Sequence, residues 1–396
     1  MTELVIVADD LTGAADSVAP LARRGRTSVV LDAEAQWPPD DVLALDTDSR
    51  HCQTGVGADR VAAVTRRAHR LGAQIVKKVD STLRGNIVAE LRALAGVLAD
   101  EGERTLLVVA PAFPALSRTT RGGVVHVEGR PLAAHGSDGD VVALLERGGL
   151  RTGWLDTRAE ERALAALFDE AHRAGRDAVV VDAVTDVHLA TVVAAAHLAT
   201  VSVVLVGSGG LTRPLAGVAG RGGTRDTAPV TAGTGGATLV VVGSYAEASR
   251  LQRNRLVDAG ARPVTLGDDP ERTAKDLRAA LSSGLAVLSS DPEAPVVRND
   301  APRVARALAS TVAAVLGDVD TLVATGGETA RAVLTAAGVS RLVVTAELEP
   351  GIVLGRVPEL DLDVVTKAGS FGDADALLRC VRPQLSTTVP QGGTTP

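Results

Sequence analysis

The stretch LVIVADDLTGAADS (residues 4–17) joins an apolar run of strand length directly to two acids and a helix-like segment. In a parallel sheet the carboxyl ends of the strands face the ligand crevice, so Asp9 and Asp10 are expected to be presented there. Asp10 or Thr12 could instead cap the helix that follows. Two adjacent acids are more than one cap requires, so the pattern favours a functional role, more strongly for Asp10 than for Asp9.

The same succession of a short Val/Leu-rich run and a longer amphipathic run continues along the chain, as expected for βα units. The predicted strands cover residues 4–8, 42–45, 75–79, 106–110, 178–182 and 203–206, and then 239–242, 263–266, 286–289, 322–324, 342–345 and 363–366. The predicted helices include residues 14–24, 59–71, 159–174 and 302–316. The sequence therefore predicts an α/β protein of two domains, each with a mostly parallel sheet flanked by helices.

The length of 396 residues and one break in this pattern indicate the two domains. Residues 220–236 are rich in Gly and Thr and have no periodicity, and the linker is assigned to residues 223–236. The domains are then residues 1–222 and 237–384. Residues 385–396 form a polar tail that is expected to be disordered.

Composition excludes several classes of protein. Hydrophobic residues make up 45% of the sequence and aromatic residues 2%, so the cores must be built from Ala, Val and Leu. The net charge of −7, without a basic stripe, argues against nucleic acid as a partner.

Cys52 and Cys380 lie outside any CxxC pattern, so neither a disulfide framework nor a zinc site is indicated. Without a signal-peptide pattern or a membrane-length apolar run, we expect a cytoplasmic protein with no membrane partner, and a homo-oligomer is left open.

A dense group of charged and hydroxyl side chains follows a predicted strand in KKVDSTLRGN (residues 77–86). Lys78, Asp80, Ser81 and Arg84 would meet there at a strand end. Arg can bind a carboxylate through two parallel hydrogen bonds, while Lys acts as a point charge on the same anion or on a phosphate. The alternative is an internal ion pair between Asp80 and Arg84 at helical spacing.

Two further segments of the first half are candidates for the same site. DTDSRH (residues 46–51) ends another strand and offers Arg50 as a contact for a carboxylate or hydroxyl group. PAFPALSRTTRGGVVHVEG (residues 111–129) combines turn residues with an alternating run. It forms either a lid or hairpin over the site, with Arg118 and Thr119 pointing inward, or a structural excursion.

Glycine-containing turns follow three predicted strands of the second half, in VVVGSYAEASRLQ (residues 240–252), LVATGGETARAVL (residues 322–334) and TKAGSFGDADAL (residues 366–377). Each places backbone N–H groups and hydroxyls where a helix begins, as phosphate binding requires. Three such turns in one domain favour a nucleotide pocket. The sequence has no Walker loop, protein-kinase signature set or GxGxxG fingerprint after the first strand, so ATP would be held by another architecture.

The segment ELEPGIVLGRV (residues 347–357) is interpreted as a loop. Its acids could organise Mg²⁺, or it could be an ordinary long loop. No metal ligand is assigned.

The strings DDLTGAADS, DTDSR, KKVDSTLRGN, PAFP with RTTRGG, VGSGGL, VVVGS, ATGGETA and KAGSFG occur in this order over nearly the whole chain. Together they resemble the four-carbon acid sugar kinase family, which includes threonate, erythronate and 3-oxo-tetronate kinases. The resemblance implies a phosphotransferase of carbohydrate metabolism, with a sugar-acid domain followed by an ATP domain. Phosphate would pass to a terminal hydroxyl, O4 in the tetronates, with Mg²⁺ on the nucleotide.

The resemblance also implies which residues form the site. The implied substrate contacts are Asp10, Arg50, Lys78, Val79, Asp80 and Ser81, with Arg84 close by. The implied nucleotide contacts are Ser244, Gly326, Gly327, Glu328, Thr329 and Gly369. Ser117 departs from the pattern, because the family usually has glycine at this position.

Phosphoryl transfer asks the protein mainly to align the attacking hydroxyl and to neutralise charge. We expect Asp10 to orient or deprotonate that hydroxyl, with Asp80 as the alternative base. Lys78 and Arg84 would bind the substrate carboxylate or the developing charge, and the two domains would have to close. Two rival hypotheses are a non-catalytic sensor of sugar acid and nucleotide, and a nicotinamide oxidoreductase, which the missing fingerprint disfavours.

Overall fold

The computed structural model describes residues 2–132, 139–217, 236–291 and 301–385. The chain divides into two compact units, Met1–Asp226 and Thr227–Pro396. Of the linker expected at residues 223–236, only Gly236 lies in the described part. Of the expected tail, Leu385 proves to be the last residue of a helix, and residues 386–396 lie outside the described residues.

The first unit is a succession of strands and helices with a small antiparallel insertion. Its strands are β1 (Leu4–Ala8), β2 (Thr27–Val30), β3 (Val42–Asp46), β4 (Gln74–Lys78), β5 (Thr105–Ala110), β6 (Arg118–Arg121), β7 (Val124–Val127), β8 (Arg130–Pro131), β9 (Thr152–Leu155), β10 (Ala178–Val181) and β11 (Ser202–Gly207). Its helices are α1 (Leu11–Val18), α2 (Thr54–Arg70), α3 (Ile87–Asp100), α4 (Val141–Arg147), α5 (Glu161–Arg173), α6 (Asp186–Leu198) and α7 (Gly209–Thr212).

A parallel sheet of the order β2-β3-β1-β4-β11-β5-β10-β9 forms the centre of this unit. Every residue of β1 and β5 is buried, which explains why these strands are continuous apolar runs rather than alternating ones. The insertion consists of β6, β7 and β8, which pair antiparallel in a separate sheet.

The second unit repeats the same architecture. Its strands are β12 (Thr238–Val242), β13 (Arg262–Thr265), β14 (Leu285–Ser289), β15 (Thr321–Thr325), β16 (Arg341–Glu349), β17 (Ile352–Val357) and β18 (Leu362–Lys367). Its helices are α8 (Glu247–Asp258), α9 (Pro270–Leu281), α10 (Ala301–Ala313), α11 (Gly327–Ala336) and α12 (Ala376–Leu385). The sheet order is β13-β14-β12-β15-β18-β17-β16, parallel from β13 to β18 and antiparallel at β17 and β16.

These elements confirm the predicted fold class and expose two kinds of error. The short strands β2 and β9 were not predicted, because TSVV and TGWL contain too few apolar residues to stand out. The interpretation of residues 347–357 as a loop was wrong. These residues belong to the β16–β17 hairpin, in which only Pro350 and Gly351 make the turn.

An ion pair is buried within the first unit. Lys77 and Glu90 have completely buried side chains, and Lys77 Nζ lies 2.8 Å from Glu90 Oε2. Lys77 Nζ also donates to the carbonyl oxygens of Val7 and Lys78. Because side chains alternate along a strand, Lys77 lies on the face of β4 opposite to Lys78.

The tryptophans are also features of the first unit. Trp37 is buried, and the Arg67 guanidinium carbon lies 4.3 Å from the centre of its ring. Trp154 lies on β9 and is about half exposed. In the described part of the chain, no helix combines the length and the apolar character that a membrane span requires.

Candidate active site

Three neighbouring strands of the first unit end at the same level. Ala8, the last residue of β1, lies opposite Asp46 of β3 and Lys78 of β4. The segments that leave these strands therefore emerge side by side at one edge of the sheet. They carry the acids and bases that the sequence singled out.

Arg50 lies at the centre of this edge. Its Nε and Nη2 atoms donate to the two carboxylate oxygens of Asp9 at 2.7 and 2.9 Å, and Nη2 also donates to Asp10 Oδ1 at 2.7 Å. Its Nη1 atom lies 3.5 Å from Asp80 Oδ2. One guanidinium thus connects acids that follow two different strands.

Asp9 is the most deeply buried partner of Arg50, and sequence reasoning underrated it. Burial by itself would raise the pKa of Asp9, but the positive charges of Arg50 and Lys78 outweigh this effect and lower it. Asp9 is therefore a structural anion that fixes the arginine. The sequence feature that could have indicated this role is the position of Asp9 as the first residue after a fully apolar strand.

Asp10 forms the helix cap that the sequence offered as the alternative to a functional role. Its Oδ1 atom accepts the backbone N–H of Gly13 and caps α1, while Oδ2 accepts the Thr12 hydroxyl at 2.7 Å. Its side chain retains 15% exposure, compared with 2% for Asp9 and 4% for Asp80. Among these carboxylates, Asp10 is the most accessible to a ligand.

Asp80 is saturated with donors. It accepts the backbone N–H and the hydroxyl of Thr82, both at 2.6 Å, and two donors from Arg84. Burial would raise the pKa of Asp80, but the charges of Arg50 and Arg84 and these hydrogen bonds lower it far below its usual range. The Asp80–Arg84 ion pair considered as an alternative does form, although these residues precede α3 and are not helical.

The remaining predicted substrate residues differ in which of their atoms lie at the site. Lys78 is nearly buried, and its Nζ donates to the Val79 carbonyl at 2.8 Å and lies 4.0 Å from Asp9 Oδ1. The Val79 side chain belongs to the hydrophobic core, and its amide donates to Gly207, so only its backbone lies at the site. The Ser81 hydroxyl accepts a hydrogen bond from Arg118 of β6.

The insertion that carries Arg118 is an anchored hairpin. Asp182, just after β10, accepts the backbone N–H groups of Gly122 and Gly123 at 2.6 and 2.9 Å. Thr120 and Ala183 exchange backbone hydrogen bonds at the same place. The structure thus brings Arg118 to the predicted site, whereas the anchoring role of Asp182 was missed.

In the second unit, the glycine turns also meet at one edge of the sheet. Val242, Thr325 and Lys367 lie opposite one another at the ends of β12, β15 and β18, which are neighbouring strands. The turns that follow are in close contact: a Cβ atom on Gly369 would lie 2.0 Å from Ser244 Oγ, and one on Gly326 would lie 3.3 Å from Ser244 Cβ. All the residues predicted to contact nucleotide therefore lie in one cluster: Ser244, Gly326, Gly327, Glu328, Thr329 and Gly369.

The local backbone of this cluster suits phosphate groups. Gly326 has a φ of +97°, a conformation that L side chains rarely adopt, and α11 begins at the next residue. The first N–H groups of a helix have no acceptor within the helix and carry partial positive charge, so they can bind phosphate oxygens. The backbone at Gly326 and the start of α11 can therefore offer N–H donors to a phosphate group.

Nothing comparable supports the acids of residues 347–357 as metal ligands. Glu349 accepts Nη2 of Arg379 at 2.8 Å and also the Nε atom of the same guanidinium. Within the described residues, no group of three or more His, Cys, Asp or Glu side chains could hold a metal ion.

Family models match both halves of the chain. Residues 4–215 match a sugar-binding N-terminal domain, and residues 239–377 match a nucleotide-binding C-terminal domain. A crystal structure of a Haemophilus influenzae protein superimposes with a TM-score of 0.72 and 21% identity, covering 98% of this chain and 100% of the other. That similarity concerns the fold.

Curated relatives match along nearly their whole length. D-threonate kinase of Cupriavidus necator is 38% identical over 405 residues, covering 94% of this chain and 96% of the relative. 3-Oxo-tetronate kinase of Methylobacterium radiotolerans is 32% identical, covering 93% and 96%. D-erythronate kinase of Heliobacterium modesticaldum is 30% identical, covering 96% and 97%. With both domains matched and these relatives similar over nearly their whole length, the chain belongs to the four-carbon acid sugar kinase family.

Proposed function

We propose that this protein transfers a phosphoryl group from ATP to the terminal hydroxyl, O4, of a four-carbon sugar acid, with D-threonate as the first candidate. The observation that carries the proposal is the Arg50 cluster, which lies at the strand ends of a domain that matches a sugar-binding family model. D-threonate is placed first because a relative of that name has 38% identity, against 32% and 30% for the 3-oxo-tetronate and D-erythronate kinases described above.

The cationic side chains are proposed to hold the substrate carboxylate. Arg84 has about half of its side chain exposed, and Lys78 lies on the same segment. Arg118 reaches the same place from the hairpin through its contact with Ser81. Arg50 is already bound to carboxylates of the protein, so its proposed role is to orient Asp10 and to contact a substrate hydroxyl.

Asp10 is proposed as the group that orients or deprotonates the attacking hydroxyl. Its side chain is the most exposed of the acids around Arg50. Asp80 is the weaker candidate, because four donors and the charge of Arg50 stabilise its ionised form and leave it a poor proton acceptor. Asp80 is therefore assigned to positioning Arg50 and Arg84.

ATP supplies the phosphoryl group when it is bound. We assign its phosphates to the backbone N–H groups at the start of α11 and to the turns that contain Ser244 and Gly369. Mg²⁺ is proposed to enter with the nucleotide, held mainly by phosphate oxygens. We place the reaction in the cytoplasm, where ATP is available.

An ADP-release assay with Mg-ATP tests the proposal on D-threonate, D-erythronate and 3-oxo-tetronate, with ordinary sugars as controls. Turnover near the enzyme median of about 10 s⁻¹ is expected on one of the acids. The phosphorus NMR signal of the product identifies the position, because a phosphate on O4 couples to two protons and one on O2 or O3 to a single proton. Ligand-induced stabilisation without ADP release on any acid would contradict the kinase and support the sensor hypothesis.

A further inference from the structure

A buried lysine lies directly beneath one of the glycine turns of the second unit. Lys367, the last residue of β18, has a completely buried side chain. Its Nζ atom donates to the carbonyl oxygens of Ala368, Gly369 and Phe371 at 2.8, 3.2 and 2.9 Å. An ammonium group has three N–H donors, so the three carbonyl groups match its full capacity.

Buried side chains of α8 complete this arrangement. Gln252 is fully buried, and its Nε2 atom lies 3.0, 3.2 and 2.7 Å from the carbonyl oxygens of Phe371, Gly372 and Asp373, so its two N–H donors are shared among three acceptors. The Ser249 hydroxyl donates to the Gly369 carbonyl at 2.8 Å.

The carbonyl groups of the loop at residues 368–373 are thus turned toward buried donors. The carbonyl oxygens of Ala368, Gly369, Phe371, Gly372 and Asp373 all accept from Lys367, Gln252 or Ser249. In the part of the chain that the structure describes, the amide N–H groups of Gly369 and Ser370 donate to no acceptor. A loop with its carbonyl oxygens held inward and N–H groups left over can present those groups to an anion.

We propose that Lys367 and Gln252 are positioning residues for the nucleotide, which set the loop at residues 368–373 so that its free amides bind phosphate. This inference rests on the proposed function, because it assumes that Gly369 contacts nucleotide. Neither side chain touches the ligand. Both act through the backbone of the loop, in which Gly369 lies against Ser244 of the neighbouring turn.

The test compares Lys367→Met and Gln252→Met with the unmodified protein and with Lys275→Met, which removes an exposed lysine of α9 in the same unit. ADP and D-threonate affinities are measured separately by calorimetry, after circular dichroism has established that each variant is folded. Loss of the charge-assisted hydrogen bonds should weaken ADP binding about tenfold or more in Lys367→Met. Gln252→Met should show a smaller loss, while sugar-acid affinity and the Lys275→Met control remain within about twofold.

Each outcome decides a different point. Folded Lys367→Met and Gln252→Met proteins with unchanged ADP affinity would overturn the inference while leaving the proposed function intact. An equal loss of ADP and sugar-acid affinity would also overturn it, since that result indicates general damage. Absence of ADP binding by the unmodified protein would instead contradict the proposed function.

Hydrogen exchange on the unmodified protein keeps the inference testable if Lys367→Met does not fold. Saturating ADP is expected to slow amide exchange in the peptide that contains Gly369 and Ser370. Unchanged exchange in that peptide, together with ADP protection at the start of α11, would overturn the inference.

Discussion

Arg50 binds Asp9 through two parallel hydrogen bonds, from Nε to Oδ2 at 2.7 Å and from Nη2 to Oδ1 at 2.9 Å. A lysine keeps the charge but cannot form this geometry. Arg50→Lys is therefore expected to lower the free energy of unfolding by about 1–3 kcal/mol, because Asp9 remains buried with incomplete hydrogen bonding. It should also raise the KM for the sugar acid.

The matched control for this change is Arg151→Lys. Arg151 also binds an aspartate, Asp177, through two hydrogen bonds, but at the surface. Urea unfolding followed by circular dichroism should show little change for this control. If Arg50→Lys and Arg151→Lys lower the free energy of unfolding equally, burial does not explain the effect at Arg50.

Asp10→Asn separates catalysis from folding, because asparagine also caps helices well. The substitution retains an oxygen that can accept the Gly13 amide and Arg50 Nη2, so the protein should fold, while loss of the negative charge beside Arg50 should lower the melting temperature modestly. Loss of a general base should lower kcat by a factor of about 10²–10⁴, with ADP affinity unchanged. A folded Asp10→Asn protein with full kcat would eliminate Asp10 as the base.

Asp80 is expected to make stability depend on acid pH. Its pKa is lower in the folded protein than in the unfolded chain, so the ionised group stabilises the fold above its unfolded pKa of about 4. This contribution is lost as the pH falls from there toward the folded pKa. The difference in melting temperature between the unmodified protein and Asp80→Asn should therefore shrink between neutral pH and about pH 3. If this difference in melting temperature stays constant over the pH range, the pKa of Asp80 is not lowered in the folded protein.

The buried pair Lys77–Glu90 should be strongly coupled. Lys77→Met alone leaves a buried carboxylate without its partner and is expected to cost about 3–5 kcal/mol. Lys77→Met combined with Glu90→Leu should recover much of this loss, since apolar replacement of a whole buried pair is often nearly neutral. A double-mutant cycle by urea unfolding measures the coupling. If the loss of stability in the double variant equals the sum of the losses in the two single variants, the two side chains are not coupled and the prediction is wrong.

Ser117→Gly should stabilise the protein slightly. Ser117 is exposed and has a φ of +55°, in the left-handed region where an L side chain costs about 1–2 kcal/mol. Part of the gain is offset by the greater freedom of glycine in the unfolded chain. Ser282→Gly, at a φ of −61°, is the control and should destabilise. A lower melting temperature for Ser117→Gly would contradict the expected relief of strain.

The strand ends that build both sites could be predicted, because apolar runs such as β1 and β12 stop abruptly at polar or glycine residues. The order of the strands could not. Sequence spacing does not reveal that β3 and β4 both lie beside β1, and this order brings Arg50 and Asp80 together. The clustering of the three glycine turns depends in the same way on β12, β15 and β18 being neighbours, although other strands separate them along the chain.

Roles that depend on the path of a loop were also hidden. Lys367 stands out in the sequence only as a charge at the end of the run LDVVTK, and nothing nearby indicates that it donates to three carbonyl groups. Asp182 similarly looks like any acid after a strand, because its partners Gly122 and Gly123 precede it by about sixty residues. Such contacts are decided by tertiary packing rather than by local pattern.

Both tryptophans of the sequence lie in the first unit. They are Trp37, which packs against Arg67, and Trp154 on β9. The single tyrosine, Tyr245, lies in the second. Excitation at the red edge of the tryptophan absorption band does not excite tyrosine. The resulting fluorescence therefore comes from the first unit alone. The chain thus carries its own optical label in the half that matches the sugar-binding family model, so fluorescence follows that half while circular dichroism follows both.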